Sequence, residues 1–174
     1  MGPGTGMSSE VDWKFNLLAG AATVHDGRFL LLRRSSRESF LPDVWGIPAG
    51  QVQRGEDPGD ACLRELLEET GLPGQEAELM SYSTFTSKRS ATELNNLQLN
   101  FLVVVPANRV RLNRASHSAY KWISLDEIEN GLLDEFTREI MESARMLCKE
   151  RARPQDRQHA NGLRAQALQR GVLL

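Results

Sequence analysis

Gly50-Gln51-Val52-Gln53-Arg54-Gly55-Glu56-Asp57-Pro58-Gly59-Asp60-Ala61-Cys62-Leu63-Arg64-Glu65-Leu66-Leu67-Glu68-Glu69-Thr70-Gly71-Leu72 is the stretch of this chain with the most local information. It predicts a helix over Pro58 to Thr70. Asp57 supplies an N-cap oxygen, Pro58 sits where its missing N–H costs nothing, and Asp60 is favourable in the first turn. Gly71 is the natural stop, because a residue just past a helix often takes the left-handed conformation that glycine adopts without penalty. Leu63, Leu66, Leu67 and Thr70 follow helical spacing and predict the buried face, with Cys62 beside it as a small packing residue. At about 100° per residue, Glu65, Glu68 and Glu69 fall within an arc of roughly 100°, with Ala61 on the same side. Taken alone, such a helix is most simply a solvated face with Arg64 paired to Glu68 one turn on. Yet the surplus carboxylates repel one another, and clustered carboxylate oxygens are the ligands that Mg2+ or Mn2+ prefers.

Upstream, Phe15 to Val24 and Phe29 to Leu32 are apolar runs about His25-Asp26-Gly27-Arg28, which predicts a hairpin. Ser35 to Asp43 reads as a polar loop, and Val44 to Gly50 as a short strand broken by Gly and Pro. Downstream, Glu78 to Thr86 is a weaker strand, Leu97 to Val105 a strand half exposed at one end, and Thr86 to Asn96 a flexible polar loop. Tyr120 to Ile123 is a short strand, after which Ser124 and Glu127 form a capping box for a brief helix. From Asp134 to Ala152, Phe136, Ile140, Ala144, Leu147 and Arg151 fall on one helical face until Pro154 ends the pattern. The order is strands, helix, strands, helix.

The 174 residues fit one domain, and 40% hydrophobic and 25% charged residues with a net charge of −2 describe an ordinary globular protein. Bulk electrostatic attraction to nucleic acid is not indicated. From Arg145 onward, however, seven Arg or Lys face two acids, so a basic tail over 154–174, with helix formation left open, follows an acidic body of net charge about −7. Residues 1–6 read as a cloning remnant before a start at Met7. Leu17 to Val24 is too short to span a bilayer, and no export or anchoring is implied. Cys62 and Cys148 lack the spacing of a disulfide framework or zinc site, so a reducing, cytoplasmic setting is expected.

Gly50, five residues, Glu56, seven residues, then Arg64-Glu65-Leu66-Leu67-Glu68-Glu69-Thr70-Gly71-Leu72 resembles the complete Nudix box, GX5EX7REUXEEXGU, where U is a bulky apolar residue. Seven fixed positions would match by chance on the order of once in a hundred million placements. The resemblance extends through the Asp-Gly hairpin, the Leu-Leu-Leu-Arg-Arg ending, Trp-Gly-Ile-Pro-Ala-Gly and Tyr-Lys-Trp-Ile-Ser-Leu-Asp-Glu, covering about Leu17 to Cys148 of an expected domain over 7–153. It implies the Nudix fold, an α/β/α sandwich with a mixed sheet between helices, and metal-dependent hydrolysis of a nucleoside diphosphate linked to another moiety. It assigns Glu65, Glu68 and Glu69, with the Gly50 carbonyl, to Mg2+ or Mn2+. It gives Glu65, Glu68 and Arg64 the catalytic positions, and Glu56 and Arg64 the work of orienting the loop and the glutamates.

One departure stands out. Many relatives carry a further acid on a late loop, yet Pro106 to Ala119 contains no Asp or Glu; Glu93 is the nearest substitute, and without it a box glutamate acts as base. Arg33 and Arg34 are candidates to grip phosphate, and Trp13 to stack on a base. Phe15 is read equally as a stacking or a core residue, Trp45 and Trp122 as core. His25, His117 and His159 receive no catalytic role. The known substrate signatures of the family are absent: Ser87 and Lys88 stand where a proline would suggest ADP-ribose, and Arg89 and Ser90 where a tyrosine would suggest dinucleoside polyphosphates. A nucleoside triphosphate, oxidised forms included, remains the leading substrate class. The alternatives are a 5′-RNA pyrophosphohydrolase using the basic tail, and a nucleotide-sensing Nudix module without hydrolysis, which the intact box disfavours. An isoprenoid isomerase is disfavoured by the same box. A nucleotide-type small molecule is the expected partner, without a membrane, and a homodimer is left open.

Overall fold

The computed structural model describes residues 15–38, 40–89, 92–129 and 133–151. The expected Met7 start, Trp13 and the tail from 154 lie outside the described residues. Strand β1 (Phe15–His25) turns through Asp26-Gly27, both at positive φ, into β2 (Arg28–Arg34), as the Asp-Gly signal demands. Two short strands, β3 (Trp45–Gly46) and β4 (Ala49–Gln51), flank Pro48. After them come α1 (Pro58–Thr70), β5 (Glu78–Arg89), β6 (Thr92–Val104), β7 (His117–Ile123), a 3-10 turn (Leu125–Glu129) and α2 (Glu135–Arg151).

The sheet runs β3-β2-β1-β6-β5, with β4 also paired to β1 and β7 to β2. β1 and β6 are parallel over ten residues, Phe15 opposite Asn95 to Val24 opposite Val104, while the other pairs are antiparallel. Such a mixed sheet buries both faces of its central strand, which explains why Ala19 to Val24 is continuously buried rather than alternating. One face carries Ala19, Ala21, Leu30, Leu32 and Val103 against Cys62 and Leu66 of α1. The other carries Ala22, Val24, Phe29, Leu31 and Leu102 against Met141 and Ala144 of α2. The expected sandwich of helices about a mixed sheet is thus what forms.

Three expectations need correction. The span from Thr86 to Asn96 is not a loop: β5 and β6 stay paired as far as Arg89 opposite Thr92. Its polarity hid the strand because side-chain amides replace apolar packing. The buried Asn96 Nδ2 donates to the carbonyls of Phe85 and Leu94 and to Ser87 Oγ, and the buried Asn100 Nδ2 donates to Ser81 and Ser83. On α1 the buried residues are Ala61, Cys62, Leu66 and Thr70, while Leu67 is half exposed. The buried stripe is therefore rotated toward the 61-65-69 row, which carries Glu65 and Glu69 inward. On α2 the buried residues are Thr137, Ile140, Met141 and Ala144, and Arg151 is solvent-exposed and paired with Glu78. One half of the Ser124–Glu127 box forms: the Glu127 carboxylate accepts from Ser124 N at 2.6 Å and Oγ at 2.9 Å, while Glu127 N donates to the Ser124 carbonyl at 3.2 Å rather than to its hydroxyl.

Candidate active site

Both ends of α1 are capped from the sequence around them. Asp57 Oδ1 accepts from Gly59 N at 2.8 Å and Asp60 N at 3.3 Å, and Gly71, at φ 70°, donates to the Leu67 carbonyl. Late residues satisfy two further carbonyls at its C-terminus, with Arg111 N donating to Thr70 O at 2.7 Å and Asn113 N to Glu69 O at 2.8 Å. The preceding loop is tied to the sheet: Val52 N donates to Leu17 O, Ala21 N donates to Pro48 O, and Gly50 lies opposite Ala19. Loop and helix are therefore held to one rigid strand, β1.

Between them Arg64 gathers the charges. Its Nε reaches Glu56 Oε1 at 2.7 Å and its Nη2 reaches Glu56 Oε2 at 3.0 Å, a two-point contact. Nη2 also donates to Gln51 O at 3.1 Å, and Nη1 to Glu65 Oε1 at 2.6 Å and Glu68 Oε2 at 3.5 Å. Arg64 hydrogen bonds and the Gln53 amide hold the Glu56 carboxyl at about 2, well below the usual range. The expected Arg64–Glu68 pair is thus the weakest of three. Glu65 lies against Gly50 so closely that any side chain at 50 would overlap its carboxylate. Glycine is required here for close approach, as Gly71 is for its positive φ.

Glu69 is different. Its Oε2 accepts from Ala49 N at 3.2 Å, and its Oε1 lies 3.9 Å from His117 Nε2. Burial, with the negative charge of Glu65 second, pushes its carboxyl up to about 8. Among the described residues no three His, Cys, Asp or Glu side chains converge as a finished metal cluster, since Glu65 is turned toward Arg64. The donor set nonetheless fits a hard divalent cation: Glu65 lies against the Gly50 backbone, Glu69 against the Ala49 amide and Glu68 on the same helix face, and burial disfavours an ionised Glu69 that a cation in contact would stabilise. Arg34, which bonds Phe40 O and Glu38, acts on Glu69 through its field.

Beside the box opens a cleft of about 350 Å³ lined by Arg34, Phe40, Trp45, Ile47, Ala49, Phe85, Gln98, Asp134 and Phe136 among others. Phe40 stacks on Phe85 at 5.9 Å between centroids, and Phe85 meets Phe136 edge-on at 5.1 Å. The structure therefore brings Arg34 to the site but not Arg33, which faces Asp43 at 3.2 Å and does not line the cleft. Adjacent strand residues point to opposite faces, so one of the pair had to be lost. Phe15 is exposed at the far end of β1, Trp45 packs against the core as expected and also lines the cleft, and Trp122 packs against the core as expected. Glu93 is exposed and sits six residues before Leu99, which shares the level of Gly50 through Ala19, roughly 20 Å along the strand. Sequence reasoning missed His117, Phe40, Phe85 and Phe136. No local motif marks them; only the late histidine in an acid-free segment was a usable signal.

A Nudix family model, described as NUDIX domain, matches residues 16–144. The chain belongs to the Nudix family. The MutT protein of Methanosarcina mazei Go1 superposes with a TM-score of 0.67 at 26% identity, covering 82% of this chain and 99% of that one. The RNA pyrophosphohydrolase of Cereibacter sphaeroides (strain KD131) is 32% identical over 84 residues, 48% of each chain. The m7GpppN-mRNA hydrolase NUDT17 of Xenopus laevis is 51% identical over 49 residues, 28% of this chain and 17% of that one. This Nudix chain thus spans half or less of the length of these two curated relatives.

Proposed function

We propose that the chain is a Mg2+- or Mn2+-dependent pyrophosphohydrolase of nucleoside triphosphates, oxidised ones included. The observation that carries this is the double role of Ala49, whose N–H binds the Glu69 carboxylate while its other side lines the aromatic cleft. A base in that cleft places its phosphates along the glutamates of α1. The phenyl rings of Phe40, Phe85 and Phe136 stack on a flat heterocycle, and Arg34 at the cleft wall meets phosphate oxygens.

Glu65, Glu68, Glu69 and the Gly50 carbonyl would hold the cation. When bound it neutralises the diphosphate and acidifies the attacking water. Arg64 and Glu56 fix Glu65, so that the carboxylates are oriented before substrate arrives. A box glutamate takes the water proton as the new P–O bond forms, and the phosphoanhydride oxygen leaves with the bonding pair. Incubation with Mg2+ and a panel of nucleoside triphosphates, nucleotide sugars, dinucleotides and RNA tests the reading. Fastest phosphate or pyrophosphate release from free triphosphates is expected; no release from any member overturns it.

A 5′-RNA substrate is the second reading, supported by likeness to an RNA pyrophosphohydrolase and an mRNA-cap hydrolase. Salt-dependent RNA retention that disappears on truncation at Pro154 separates it from the first.

A further inference from the structure

His117 occupies a place that a stability argument does not explain. Its ring is 3% exposed, and Nδ1 has no hydrogen-bond partner among the described residues. A buried polar atom left unsatisfied costs free energy that an apolar side chain of similar size would not, so an imidazole in this place points to work at the other nitrogen. That nitrogen, Nε2, faces Glu69 Oε1 at 3.9 Å, on the opposite carboxylate oxygen from the one that accepts the Ala49 amide.

Two features of the fold aim it there. Asn113 N donates to Glu69 O, and His117 N donates to Asn113 O at 3.0 Å, so one short backbone relay joins the helix turn bearing Glu69 to the start of β7. The β2–β7 register slips between Arg33 and Arg34 and places His117 opposite Arg34. Such a bulge re-aims a side chain at a site.

We infer that His117 is a positioning residue that donates from Nε2 to Glu69 and holds this carboxylate toward the box loop for the metal ion. As a metal ligand Glu69 is ionised, and a carboxylate only accepts, so the ring nitrogen facing it carries the hydrogen. The 3.9 Å separation exceeds the roughly 3 Å of a formed bond. A turn of the carboxylate about its last, broad torsion closes it. The proposal rests on the metal role of Glu69.

Mn2+ affinity measured by electron paramagnetic resonance on the full chain tests it without any substrate. His117→Leu, which fills the space, should weaken Mn2+ binding about tenfold, as loss of a group behind a metal ligand does. His117→Gln, whose amide can donate from a similar place, should restore most of the affinity. Glu93→Gln serves as the neutral control. In the wild type, nitrogen-15 spectra of the imidazole should show the Nε2–H tautomer and a shift on adding Mg2+. Thermal unfolding confirms that each variant is folded. Unchanged affinity in His117→Leu, or equal loss in folded Leu and Gln variants, overturns the positioning role while leaving the metal site standing. A wild-type chain that binds no Mn2+ overturns both.

Discussion

At the Glu56–Glu65 end of α1 each carboxylate meets a guanidinium, whereas at the Glu69 end the carboxylate is buried against the Ala49 amide and the His117 ring. The first arrangement is complete in itself. The second holds a carboxyl whose ionised form is disfavoured by burial and would be stabilised by a cation in contact, and so the two ends differ: one is a finished frame, the other is suited to a ligand. The difference teaches that three glutamates on one helix face need not be equivalent, although their spacing treats them alike.

The largest effect expected is on turnover. Glu69→Gln should lower kcat by about a hundredfold or more with the fold intact, since it removes the least compensated ligand. Steady-state kinetics beside a thermal melt checks this, and wild-type turnover would erase the division between the two ends. On the frame side, Gly50→Ala displaces Glu65 from its seat, and a drop in kcat at unchanged Tm is expected. Leu66→Ala, at a position with no exposure, should act through stability alone, by roughly 2–5 kcal/mol in denaturant titration.

The pH dependence of the metal-free protein sharpens the contrast. Glu69 titrates at about 8 when folded and near 4.5 when unfolded, so the folded state keeps a proton that the unfolded chain has released. Stability should therefore fall as pH rises from about 4.5 to about 8. Glu56, held at about 2, contributes stability above 4.5 that is lost as pH falls toward 2. Urea midpoints in EDTA across this range should lose the upper slope in Glu69→Gln and the lower one in Glu56→Gln. The smallest effect belongs to Glu93→Gln, exposed and remote from the box, which should stay within about 0.5 kcal/mol of wild type with turnover unchanged.

Much of this molecule is local. The caps at Asp57 and Gly71, the hairpin at Asp26-Gly27 and the grouping of Glu65, Glu68 and Glu69 follow from spacing alone, because each depends on neighbours within one or two turns of chain. The β5–β6 hairpin is obscured in the sequence because its buried Asn96 and Asn100 are satisfied by half-buried serines across the strands, a pairing that no single-strand pattern contains. How deep Glu69 lies was decided by the small rotation of α1 that exposes Leu67 and buries Ala61, a matter of packing on β1. The cleft draws Phe40, Phe85 and Phe136 from three distant segments, and His117 reaches Glu69 across β2 and β7. Sequence by itself determined the family and the grouping of three carboxylates, because the box that carries both sits on one helix and one loop. Only the tertiary structure decided which carboxylate is buried, what faces it and that an aromatic cleft opens beside it, because those depend on residues that become neighbours only when the sheet closes.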